Sequence, residues 1–549
     1  MKTKYIILIF ISILSLALTH FETPFQQQIT NDDTFLFTWS INSEEQLIKF
    51  ELDVKTTGWV GLGISPTGTM INSDMFIGYI QKDGKTIMND RFSTSHLVPS
   101  LDTDLGGKDD LTDVTGTFKN GRTSISFVRK LVTGDKNDID ISKDKSYTMI
   151  FSYREQGNPE TENSFLIHSG KFSKELILHP SSGQSTTIQT LAEKYKDQKD
   201  IRSMYIAFDK VEVPEEPTAY TCRYFNVNDI INKDNNSDKK DTSYHAVGFE
   251  AAIDNEAFVH HIVVFGCDMR NVLWHDKMFR CDGTSSDCQE NLFGWAPGQK
   301  TIEFPPEAGM LWGTNNSYFV MMQIHYNNPT KVANQVDSTG VTIFYTHKLR
   351  QYDIGVTLLG PVVFGITIPP NKQNVTVSNT CPVSCMNTIP EDGFKVIIHF
   401  FHAHKLGRKV RAIVKKPDGT IDSTTFRTDA YDFEHQNLII SETPYEFKRG
   451  YSMETICEYD STGMDKLTTG GIGTNDEMCV VYFYYYPKEN GPYVCTSRAG
   501  DPNSLTTDNT DICVIATKTE RVQLIVIGSS QFLTNSVLLA VFSLVIMFL

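Results

Sequence analysis

No cysteine precedes Cys222 in this 549-residue chain; all ten lie between Cys222 and Cys513. The front of the protein therefore has no disulfide to staple it and must hold together through a core of its own. Basic stretches are missing as well: 50 Lys and Arg stand against 66 Asp and Glu, a formal net charge of −16. With no basic stripe and no recognisable nucleic-acid motif, the chain is not built to bind nucleic acid. A soluble acidic surface is the plainest reading of that charge, with a cationic small substrate as the alternative. Low-complexity tracts and repeats of about 20–50 residues are absent too, which excludes solenoids and propellers. The length itself implies about three or four domains.

Both ends have the texture of processed segments. "MKTKYIILIFISILSLALT" (1–19) carries Lys2 and Lys4, then an apolar run, then small residues, and reads as a secretory signal peptide. The hydrophobic tail, 518–549, has Gly528, Ser529 and Ser530 ahead of an apolar run to the last residue. It reads as a glycolipid-anchor signal, with a terminal membrane helix as the rival. Either places the body of the protein in the secretory lumen or outside the cell, membrane-anchored at its C-terminus. Ten cysteines, an even number, suit that compartment as disulfides. Asn235, Asn315 and Asn374 open N-x-S/T sequons and are candidate glycosylation sites.

Residues 25–205 alternate as strands do, in "FLFTWSI", "LIKFELDV" and "YTMIFSY", punctuated by Gly, Asn and Asp, as in an all-β sandwich. Beyond an acidic, Pro-containing stretch, "HHIVVFGC", "GVTIFYTHKL" and "VRAIVKKPDGTI" are again strands, so the whole chain reads as all-β. The best helical candidate, "TLAEKYKDQKDIRSMYIAF" near residue 191, reads as a connector.

Five histidines and a methionine are the residues that carry chemistry. "HAH" places His402 and His404 two apart, on one side of an extended chain. "FVHHIVVFGC" adds His260 and His261, "MMQIHYNNP" adds His325, and Met478 precedes Cys479. Imidazole suits copper, zinc, iron and nickel, whereas a thioether favours Cu(I). Each of these residues alone is more often packing than ligand; their joint occurrence carries the signal. His260 and His261 are adjacent, so a regular strand would send them to opposite faces. To act together they need a local twist or a bulge.

These motifs, with "FPPEAGMLWG" and "TTGGIGTNDEMCVVYFYYYP", make residues 206–350 and 351–517 resemble the two domains of the copper type II, ascorbate-dependent monooxygenases. The front, through "TGWVGLGIS", "MINSDMFIGYI" and "FVRKLVTGDKNDIDI", resembles the DOMON domain of secreted redox proteins. The order matches the dopamine β-hydroxylase branch. The resemblance implies a DOMON β-sandwich followed by two jelly-roll-like copper sandwiches. His260, His261 and His325 would hold an electron-transfer copper, and His402, His404 and Met478 the copper at which O2 is activated. His399 lies outside that ligand pattern and reads as supporting or structural. Five disulfides are implied: Cys222–Cys281, Cys267–Cys288, Cys381–Cys495, Cys385–Cys513 and Cys457–Cys479, the last clamping the strand that carries Met478.

The implied reaction hydroxylates a C–H bond with O2, ascorbate supplying the electrons. Peptide-amidating relatives grip a terminal carboxylate with an Arg two before the His-x-His and an Asn two after the Met. Phe400 and Val480 stand there instead, whereas Tyr482 is retained and is a candidate catalytic residue. Apolar side chains cannot pair a carboxylate, so a small amine of the phenylethylamine kind is the expected substrate, not a peptide. A silent copper-binding or adhesion protein and a DOMON-based electron carrier are the alternatives. Some DOMON relatives bind haem through Met and His, and Met70, Met75 and His168 lie in candidate regions. A sandwich without haem is the reading preferred here, because Met is common core filler.

Overall fold

The structure, a computed structural model, describes most residues from 21 to 527; the larger omissions are 232–242, 268–276, 282–287, 314–318, 498–510 and 516–522. The signal segment, the 528–549 tail, Asn235 and Asn315 lie outside the described residues. Asn374 is exposed. Among the described residues no helix is long and apolar enough to cross a membrane.

Two units make up the chain, Met1–Ile188 and Gln189–Leu549. The first is a sandwich of a five-stranded and a six-stranded sheet. Its logic is visible in Leu47–Val54, where Ile48, Phe50, Leu52 and Val54 are fully buried while Lys49, Glu51 and Asp53 alternate outward. Phe35, Phe37, Trp39, Phe76, Phe127 and Phe151 join them, and this aromatic core does the work that cystines do elsewhere.

The second unit contains two further sandwiches. In the first, a sheet led by Ile201–Ala207 faces a five-stranded sheet that includes Thr218–Asn226, Val259–Cys267 and Phe319–Asn327. In the second, a seven-stranded sheet containing Phe394–Ala403 and Cys479–Tyr486 covers a four-stranded one. All-β architecture follows from the β-branched and aromatic strands, as the sequence implies.

The end of the first sandwich differs from the expected residue 205. Leu191 and Tyr195, on a helix at Leu191–Tyr195 whose capping box joins Thr190 and Glu193, bury against Val247 and Phe344. Ile201–Ala207 then pairs along Gly340–Thr346. The presumed connector is thus part of the second unit, because its apolar face finds a sheet there. At the other end, Gln523–Ile527 pairs with Asp511–Ile515, so the last sheet runs past the expected limit at 517.

Four of the expected disulfides are present: Cys222–Cys281, Cys267–Cys288, Cys381–Cys495 and Cys457–Cys479. The side chain of Cys513, expected to pair with Cys385, is outside the described residues. Among the described residues no cysteine is free, which leaves no thiolate for a blue-copper type of centre.

Candidate metal centres

The first histidine set is assembled by a defect in strand pairing. Val259 pairs with Tyr326 but His261 pairs with His325, so the register slips between Val259 and His261. That bulge lets both adjacent histidines turn toward His325, as their adjacency in sequence requires. The three Nδ1 atoms lie 3.1, 3.1 and 3.4 Å apart. A circle through them has a radius of about 1.9 Å, close to a metal–imidazole bond of about 2.0 Å. The donor set therefore fits one first-row ion.

Two residues of a neighbouring strand orient His325. The hydroxyl of Thr218 stands 2.6 Å from its Nε2, and the ring of Tyr220 stacks on it at 4.3 Å. With Nδ1 facing the other histidines, Nε2 carries the proton and donates it to Thr218. His261 is held well below the usual histidine range by burial, reinforced by His325, His260 and His402. Neutral imidazole is the form that binds a metal.

The second set lies on one face of two adjacent strands. Phe400 pairs with Tyr482, His402 with Val480 and Ala403 with Cys479. Carried one residue further, that register sets Met478 opposite His404. The His402 and His404 rings are 5.2 Å apart. His404 Nδ1 donates to the carbonyl of Asp476 at 2.9 Å and His402 Nδ1 to Gln436 Oε1 at 2.6 Å. Both bonds fix the tautomer that puts the lone pair on Nε2. Burial, then His404, pushes His402 down to about 3, opposed by the Gln436 bond.

Met478 is buried on a firmly held support. Its carbonyl accepts a 2.8 Å bond from the Tyr459 hydroxyl, and Cys479 beside it is bridged to Cys457. Glu477, almost fully buried, accepts from the backbone of His404 and Leu406 at 2.8 and 2.6 Å. Burial raises its carboxyl to about 7. Tyr482 is pushed up to about 12 by burial and so keeps its phenol proton; its ring lies 5.2 Å from Phe400.

His399 sits on the opposite face of its strand, against Phe401 and Phe426 at 5.3 and 4.9 Å, so it faces the sandwich interior, not the His402 face. Phe433 lies between the two sets, 6.4 Å from His260 and 6.1 Å from His404. Thr218, Tyr220, Phe433 and Gln436 carry no motif; only strand pairing with His325 and a folded-back loop bring them in, whereas Glu477 stands beside Met478 in a quoted motif whose role the sequence does not disclose. In the first unit Met75 is buried and His168 partly so, and no described contact joins Met70, Met75 and His168.

Three family models match the chain. DOMON covers residues 31–154, and the copper type II ascorbate-dependent monooxygenase N- and C-terminal domains cover 204–333 and 352–508. Among curated relatives, DBH-like monooxygenase protein 2 of Mus musculus is 29% identical over 464 residues, 82% of this chain and 70% of its own. DBH-like monooxygenase protein 1 of Homo sapiens is 26% identical, covering 85% and 74%. The dopamine beta-hydroxylase of Rattus norvegicus is 27% identical, covering 85% and 73%.

Proposed function

The chain belongs to the copper type II, ascorbate-dependent monooxygenases, and from that membership we propose that it hydroxylates a small amine of the phenylethylamine kind, using two copper ions and ascorbate. The observation that supports this most is the convergence of three imidazole Nδ1 atoms on one point and of His402 and His404 on one strand face with Met478. In this reading His260, His261 and His325 hold one copper, and His402, His404 and Met478 the other. Copper, when bound, supplies one-electron chemistry and activation of O2, two ions storing the pair of electrons that hydroxylation consumes.

The protein's own residues prepare that chemistry. Burial keeps His261 and His402 neutral, and Thr218, Gln436 and the Asp476 carbonyl hold the rings in ligating tautomers. Val480, Phe400 and Tyr482 line the same face as His402, an apolar and aromatic floor suited to an aryl ring. No cation stands at 400 or 480 to pair a carboxylate, which disfavours peptides. The cystines agree with a secretory or extracellular location.

Oxygen uptake by copper-loaded protein with ascorbate and an amine panel tests the reading, with Met478→Ala alongside. Amine-dependent uptake that Met478→Ala abolishes is expected. Failure of every amine in the panel to raise uptake would refute the substrate class, and equal rates in the variant would refute the role of Met478.

A further inference from the structure

The two sandwiches of the second unit share one apolar core. Ile397, Ile398, Tyr484 and Tyr486 of the later sandwich pack into the cluster that holds Leu292, Phe293 and Trp295 of the earlier one. Across the same seam the Tyr484 hydroxyl donates to Asn291 Oδ1 at 3.3 Å. Close-packed side chains resist sliding, so the two histidine sets keep a fixed relation across the gap between them.

Residues of one loop reach into that gap, tied down on both sides. Its start is held at Ala403, between His402 and His404: the Tyr431 hydroxyl accepts from the Ala403 N–H at 3.0 Å and donates to its carbonyl at 2.5 Å. Gln436 fastens the loop to a ring, its Oε1 accepting from His402 Nδ1 at 2.6 Å while its Nε2 donates to the Phe433 carbonyl at 2.7 Å. Leu438 is held by the other sandwich. The side-chain amide of Gln299 accepts from its N–H at 3.0 Å and donates to its carbonyl at 3.4 Å, as a neighbouring strand would.

These ties place the ring of Phe433. It lies 6.4 Å from His260 with the planes 30° apart, and 6.1 Å from His404 with the planes 80° apart. Both separations are within the range of aromatic contact. His260 belongs to the first set and His404 to the second, so one phenyl ring touches both.

We propose that Phe433 is a positioning residue for the passage of an electron between the two centres, a role that rests on the hydroxylase reading. Its ring fills the gap, keeps water out of it and fixes the separation of His260 from His404. Hydroxylation takes one electron from each centre, so the electron stored at the first must cross within a turnover. In a complete turnover one oxygen atom enters the C–H bond, and the other leaves as water with two electrons and two protons. Where the crossing fails, O2 leaves as H2O2 with two electrons and two protons from ascorbate, and no product forms.

The copper-loaded full chain is compared with Phe433→Ala and Phe433→Leu. Product and H2O2 are measured per O2 consumed, and the separation of the two coppers by pulsed EPR on oxidised protein without substrate. Phe433→Ala should keep wild-type copper content, slow single-turnover hydroxylation at least about tenfold and release H2O2 in place of product. Its copper–copper distances should broaden, and Phe433→Leu, which refills the gap with apolar bulk, should restore most of both properties. An unchanged ratio of product to O2 in Phe433→Ala would overturn the proposal. So would a change confined to the KM for the amine, which would make the ring a wall of the substrate pocket instead. Should Phe433→Ala fail to fold, Gln299→Ala removes only the tie on Leu438 and should broaden the copper–copper distances alike; an unaltered distribution would overturn the proposal. The EPR readout needs no substrate, so inactivity toward every amine would count against the hydroxylase reading alone.

Discussion

Thr218 and Gln436 show how much of each centre rests on side chains that would not themselves be ligands. Each fixes a ring by one hydrogen bond, to His325 at 2.6 Å and to His402 at 2.6 Å. Losing such a partner typically lowers metal affinity about 10- to 100-fold. Thr218→Val should weaken copper at the first centre alone and Gln436→Ala at the second alone, read by chelator competition on each variant. Equal loss at both centres would show that the bonds do not act locally. The candidate ligands were legible in the sequence because His-x-His, His-His and a Met beside a Cys are local patterns. Thr218 and Gln436 were not, since nothing about a lone Thr or Gln says which ring a distant strand or loop will present to it.

His399 gives a pH prediction at the same scale. Burial alone lowers it to about 4, from an ordinary value near 6.5. A depressed histidine contributes stability that is complete above about 6.5 and is lost as pH falls through about 4, where the buried ring must charge. Its Nδ1 has no hydrogen-bond partner, so a ring without nitrogen loses nothing there. His399→Phe should keep its near-UV circular dichroism to lower pH than wild type; identical acid midpoints would contradict this burial.

Among the elements, the strand Cys479–Tyr486 carries the most. Its inward residues Cys479, Val481, Phe483 and Tyr485 fill the last sandwich, while Val480 and Tyr482 share the other face with His402. That period-two division is what makes one strand both core and site. Tyr459 and the Cys457–Cys479 bridge anchor its start. Tyr459→Phe should cost about 1 kcal/mol of stability, a typical net hydrogen bond, and reduce copper at the Met478 centre more than at the other. A loss confined to stability, with copper binding intact, would mean the anchor does not serve the ligand. The bulge at Val259–His261 was foreseeable, because two adjacent ligands cannot leave a regular strand on one side. The helix Leu191–Tyr195 was misread as a connector, because its apolar residues name no partner until Val247 and Phe344 are folded beside them.

At the scale of the molecule, the two units have separate cores and separate chemistry. Every proposed copper ligand and every cysteine lies in Gln189–Leu549, and Met1–Ile188 contributes neither. A chain beginning at Gln189 should therefore still bind two coppers when secreted, as metal analysis would show; loss of copper would mean that the first unit supports the centres.

X-ray absorption at the copper edge, on the ascorbate-reduced secreted protein, tests the central assignment most directly. Two coppers per chain are predicted, with imidazole around both and a sulfur neighbour on one that Met478→Ala removes. Fewer than two coppers, or a sulfur signal that survives the substitution, would contradict it.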